Sequence, residues 1–121
     1  MAVTNLILTA LATNLFQDTV SANAAVVVKA SSGTLYAIHI DNSLNAAATY
    51  LKLYDSAGAI VVGTSVPDFV LMAPAAFVGN ILISTNGIVF AAGLQEASVT
   101  AGGTAGTTSP TSNTVVSIVY T

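Results

Sequence analysis

Among its 121 residues the chain has no cysteine, no arginine and no tryptophan, and only 6% of it is charged. Each shortage removes a class of function. Without thiolates there is no disulfide framework, zinc finger or thiol chemistry. Lys29 and Lys52 are the only fixed cations of a chain whose formal net charge is -3. That set cannot neutralise a run of phosphates, the main source of nucleic-acid affinity, so DNA or RNA binding is excluded. An ordinary soluble domain is about 25% charged, so solubility here must rest on Ser, Thr and Asn.

Long apolar runs are also missing. The nearest, Phe69 to Ile83, is interrupted by Pro74, Gly79 and Asn80 and falls short of the ~20 residues a spanning helix needs. No membrane segment is expected. Met1 to Phe16 has no basic residue ahead of its apolar stretch, unlike a secretory leader, and Ala2 excludes myristoylation.

Chemically active side chains are few. His39 is the one group with an unperturbed pKa near neutrality. No Gly-x-Ser-x-Gly elbow accompanies it, so it reads as a strand residue near the surface. The carboxylates Asp18, Asp41, Asp55, Asp68 and Glu96 are spread singly, unlike the clustered acids of a calcium loop. A calcium site shared between loops, or a carboxylate pair for glycoside hydrolysis, would need convergence in space. Asp41-Asn42-Ser43 and Asp55-Ser56 read instead as turns whose side chains bond their own backbone. Gly102, Gly103 and Gly106 are not followed by Lys and make no phosphate loop. Tyr36 reads as core, and Tyr50, Tyr54 and Tyr120 as edge or interface residues rather than sugar platforms. The expectation is a protein that is not an enzyme, with no cofactor, no metal and no catalytic residue.

From Ala25 onward, short runs rich in Val, Ile, Leu, Tyr and Thr are separated by Gly, Asn, Asp, Ser and Pro, the pattern of an all-β domain. Strands are predicted at Ala25 to Ala30, Thr34 to Asp41, Thr49 to Tyr54, Ala59 to Val62, Asp68 to Ala73, Asn80 to Ser84, Ile88 to Ala92 and Thr114 to Tyr120. Eight short strands in a chain this size point to an antiparallel β-sandwich, jelly-roll-like, with one core. Asn86-Gly87 reads as a two-residue hairpin turn with Ile83 across from Phe90. Asp55 to Gly58 reads as a four-residue connection and Ser31-Ser32-Gly33 as a tight link, while Pro67 and Pro74 bracket a strand.

Alternation assigns the faces. Tyr36, Ile38 and Ile40 are expected inward, as are Leu51 and Leu53, with Tyr50, Lys52 and Tyr54 outside. Antiparallel pairing of these two strands would bring His39 near Lys52 or Tyr54. Residues 1–24 are read as an N-terminal arm or first strand, and residues 25–121 as one sandwich domain. Within that domain the Ala, Gly, Thr, Ser and Pro of about 100–113 form a long loop, ordered only if a neighbour packs on it.

An unguarded sheet edge recruits another strand, and this chain has almost no charge with which to guard one. Its apolar content also exceeds what so small a domain can hide, which predicts a stable, closed homo-oligomer. The stretches Gly33 to Asn42, Tyr50 to Asp55, Val62-Gly63-Thr64, Pro67 and Asn86 to Leu94 resemble small β-sandwich virion proteins of tailed bacteriophages. The nearest kind is the capsid cement or decoration protein. The resemblance covers about the middle half of the chain, in strand and turn patterns rather than site residues. It implies a trimer on the capsid exterior that holds neighbouring major capsid proteins together, its contacts made by the N-terminal arm and the 100–113 loop. The competing readings are a phage tail or fibre receptor-binding module and a non-catalytic carbohydrate-binding β-sandwich.

Overall fold

A computed structural model describes residues 14–121. They form eight strands: β1 (Asn14–Ser21), β2 (Val26–Lys29), β3 (Gly33–Asp41), β4 (Thr49–Asp55), β5 (Phe69–Ala73), β6 (Val78–Phe90), β7 (Leu94–Val99) and β8 (Thr114–Tyr120). The first sheet has the order β1-β8-β3-β6 and the second β2-β7-β4-β5. Every pairing is antiparallel. First pairs with last, second with seventh, third with sixth and fourth with fifth, as if one long hairpin had been rolled into two sheets. That is the jelly-roll sandwich. The expected first strand is β1, and the remainder of the expected arm, residues 1–13, lies outside the described residues.

The core between the sheets consists of Val28, Leu35, Ile38, Ile40, Leu51, Leu53, Ala73, Phe90, Leu94, Val116 and Ile118. Leu51 and Leu53 face inward as alternation predicts. Tyr36 does not: it is half-buried, and Leu35 takes the inward place. The register explains this. β8 advances one residue, from Tyr120 to Val119, while β3 advances from Leu35 to Ala37, so Tyr36 is the extra residue of a bulge that shifts the alternation.

β3 and β4 do not pair. They lie in different sheets, and their apolar faces meet across the core. His39 therefore stands opposite Asn80 and Ser117, not near Lys52 or Tyr54. Residues 42–48 carry the chain between the sheets, fixed by a buried amide hub at one end of the sandwich. Asn42 Oδ1 accepts from Thr49 Oγ1 (2.7 Å) and Asn45 Nδ2 (2.9 Å), and Asn42 Nδ2 donates to the Pro74 (2.9 Å) and Ala47 (3.2 Å) carbonyls. Asn45 reaches on to Ser112 and Thr114.

Three strand expectations are corrected. Ala59 to Val62 is a loop: Thr64 and Ser65 both donate their N–H to the Val61 carbonyl, and Gly63 has φ +96°. Asp55 to Gly58 accordingly opens a long connection, residues 56–68, between β4 and its antiparallel neighbour β5. The runs Asn80 to Ser84 and Ile88 to Phe90 belong to one strand, because β6 continues through Asn86-Gly87, and Ala91-Ala92, expected in a strand, lie in the turn that follows. Leu35 pairs with Ile88 and Ala37 with Ile83, so Ser84 to Gly87 bulge out of the ladder, while Phe90 lies opposite Gly33 rather than Ile83. Gly87 has φ +78° and donates its N–H to Ser84 Oγ (3.1 Å). The positive φ that favours a hairpin serves a bulge here. Finally, β7 carries no apolar run, yet all six of its residues are buried.

The 100–113 segment is a loop, as expected, and it lies over the outer face of the second sheet. Thr100 N–H donates to the Thr108 carbonyl, Asn23 bonds Thr107 and Ser109, and Gly102 lies against Tyr50. Residues 56–58 cover the same face through the Gln95 amide, which donates to the Ser56 (3.0 Å) and Gly58 (2.6 Å) carbonyls. Lys52 and Tyr54, expected outside, are fully buried beneath this layer.

Candidate interaction surface

His39 is exposed on β3, with Asn80 and Ser117 as its register partners. Neither supplies the base-and-orienter arrangement that nucleophilic catalysis requires. Among the described residues no three His, Asp or Glu side chains converge to hold a metal ion.

The carboxylates other than Glu96, of which Asp68 is exposed and Asp18, Asp41 and Asp55 are half-buried, serve backbone. Asp41 accepts the Ser43 N–H (3.0 Å), as its turn predicts, and the Ser43 side-chain and backbone bonds hold its pKa below the usual value. Asp18 Oδ1 accepts from Val20 N–H (2.9 Å), and Asp68 Oδ2 from Asp55 N–H. Asp55 departs from expectation, because it caps a distant turn rather than its own. Its carboxylate accepts N–H from Ala91 (2.9 Å), Ala92 (2.8 Å) and Gly93 (3.3 Å), joining the end of β4 to the turn between β6 and β7. The Ala91 and Ala92 bonds lower its pKa, against a smaller effect of burial.

Three ionisable groups, Lys52, Glu96 and Tyr54, are enclosed. Lys52 Nζ donates to the Thr104 (3.0 Å) and Gly106 (2.8 Å) carbonyls, and its burial lowers its pKa. Glu96 lies between the sheets beside Ser21 and Ser98. The phenol of Tyr54, whose burial raises its pKa, has no hydrogen-bond partner. Strand periodicity gives no sign of these sites, because they depend on which loop covers which face.

The margins of the sandwich are apolar and open. On one side, β5 and β6 expose Phe69, Val70, Met72, Val78, Ile83 and Val89. On the other, β1 and β2 expose Leu15, Val20, Val26 and Val27. β6 is a 13-residue edge strand without a single ionisable side chain or proline, and β5 has none either. A cleft of about 250 Å³ opens between β5 and β6, lined by Leu35, Leu53, Phe69, Ile88, Val89 and Phe90, with Asp55 and Asp68 at its polar end.

Set beside known proteins, the chain matches no protein-family model, no curated protein and no solved structure. Its function must be argued from its own surface.

Proposed function

We propose that the chain is a structural virion protein, and specifically a capsid cement or decoration protein. It would act as a homo-oligomer on the capsid exterior, stabilising contacts between major capsid proteins. The observation that supports this reading most is the uncharged β5 and β6 margin. A solitary β-domain protects such a strand with lysine, proline or a covering segment, and β6 has no charge or proline over its whole length. A margin of this kind is suited to permanent burial against other subunits, where a low surface charge is an advantage. The sequence resemblance to small phage β-sandwich proteins points the same way. A cement protein works by mass action: it binds the assembled shell and not its separated subunits, so a modest contact repeated over the lattice raises shell stability.

The test is the copy number of the chain per major capsid subunit, by quantitative mass spectrometry of purified particles. A fixed ratio near that of the capsid subunit supports the cement role. A handful of copies per particle would place the protein in the tail, and absence from particles would overturn the virion reading.

A further inference from the structure

The start of β1 and the cleft between β5 and β6 share one end of the sandwich. Asn14 pairs with Tyr120, Tyr120 with Leu35, and Leu35 with Ile88, so these residues form a single row across the first sheet. Leu35 and Ile88 also line the cleft. The segment that precedes β1 therefore leaves its sheet in the row that opens into the cleft. β8 offers it no further pairing, because β8 stops at Tyr120 and the Thr121 backbone is bonded in both directions to Thr34.

The cleft calls for an apolar, uncharged occupant. Its two carboxylates are already engaged by backbone, Asp55 by the N–H groups of Ala91, Ala92 and Gly93 and Asp68 by that of Asp55. The rest of its wall is aliphatic and aromatic. Beside it runs the edge of β6, unpaired among the described residues and free of charge and proline. Residues 1–13 match this surface. They include no charged side chain, glycine or proline, and they carry Val3, Leu6, Ile7, Leu8 and Leu11. In an extended chain Leu6, Leu8 and Ala10 fall on one face.

Length decides which copy supplies the segment. β3 runs opposite β6 from Gly33 at Phe90 to Asp41 at Val78, which makes the margin about 27 Å long at a strand's rise per residue. Within one chain the segment must first pass from β1 to the outside of β6, about four strand spacings or about 19 Å. That consumes about six residues, and the remainder reach about 20 Å, short of the exposed Val78. Donated by a second copy, residues 1–13 extend over about 41 Å and cover the whole margin. We infer that residues 1–13 of one copy lie along β6 of a second copy, adding a strand to its open edge and setting Leu6 and Leu8 over the cleft. This rests on the homo-oligomeric reading above and names the contact that builds it. Ladder bonds along β6 supply the affinity, and the cleft fixes the register. Donor segment and receiving edge are different surfaces, so the contact is head-to-tail and closes into a ring.

The experiment uses the full chain. A photo-crosslinking residue, p-benzoylphenylalanine, replaces Leu8 in a ¹⁵N-labelled copy that is mixed with unlabelled chain, and the linked peptides are mapped by mass spectrometry. Links from position 8 to β5 or β6 of the other isotope are expected. Links to β5 or β6 of the same chain overturn donation between copies, and an absence of links to either strand overturns the docking site. In parallel, Leu6→Asp with Leu8→Asp is expected to raise the oligomer's dissociation constant about a hundredfold or more in sedimentation, since both leucines lose their burial at the margin. An unchanged constant overturns the segment's role and leaves the homo-oligomer standing, whereas an unaltered chain that sediments as a monomer at every concentration overturns both. Both substitutions precede all eight described strands, and should the double variant fail to fold, the cross-links still decide.

Discussion

Asn42 is buried, and both ends of its amide are occupied by partners from its own crossing and from the turn at Pro74. Asn42→Ala strands the Thr49 hydroxyl, one Asn45 donor bond and the Pro74 carbonyl at once. With each buried orphan costing about 1–3 kcal/mol and some of them finding water, a total loss of about 2–4 kcal/mol is expected from urea unfolding. Asp41→Ala, one position earlier but serving an exposed turn, should cost several-fold less. Asp55 behaves differently because its bonds are charge-assisted. Its folded pKa lies below the ordinary 3.8, so its contribution is present above that value and lost as pH falls through the folded one. Asp55→Asn should lower the melting temperature at neutral pH, with the gap to the unaltered chain closing in acid. Both residues looked alike in sequence, each a turn-former beside a strand. What separates them is distance along the chain: Asp55 caps residues 36–38 positions away, and nothing local records that.

Strands were legible where the chain is apolar and short turns delimit it, as in β3, β4, β5 and β8. They were not where polar residues are buried. Gln95, Glu96 and Ser98 interrupt any apolar run, and β7 is a strand because β2 and β4 flank it, with Gln95 bonded to a loop and Ser98 to the Ser21 hydroxyl. Asn86-Gly87 shows the same limit, since its dihedral preference was correctly read but a bulge and a hairpin ask for the same preference. Gly87→Ala tests the bulge. The positive φ is strained for any side chain, and a Cβ would collide with Thr34 and Tyr36, so a loss of about 1–3 kcal/mol is expected in equilibrium unfolding. Lys52 tests the covering layer. Lys52→Met removes a buried charge, which favours stability, but also leaves the Thr104 and Gly106 carbonyls without donors. These effects oppose one another and should leave global stability within about 1 kcal/mol. Limited proteolysis within residues 100–113 should nonetheless accelerate, because those carbonyls tether that loop to β4.

At the scale of the molecule, the jelly-roll-like sandwich class could be read from the pattern of short apolar runs, but the strand set and its pairing could not, since eight strands are expected from Ala25 onward and β2 to β8 are seven. β1 finds β8 across nearly the whole chain, a choice made by core packing and edge exclusion rather than by local pattern. The margins are the consequence that bears on function, since the rolled topology leaves β5 and β6 open together on one side. Ile83 and Val89 are 69% and 75% exposed on β6, so neither is needed by the core. Lysine at both positions should leave the fold and melting temperature of the isolated domain nearly unchanged, because exposed substitutions usually fall within about 0.5 kcal/mol. In an assembled interface the same two charges would be buried without partners, a far larger penalty. The double variant Ile83→Lys, Val89→Lys is therefore expected to sediment as a smaller species and to lose occupancy on purified particles. Val20→Lys, on the β1 margin, should alter neither if β5 and β6 form the contact. If the double variant keeps both its mass and its occupancy, the proposal that the β6 edge is an interface fails.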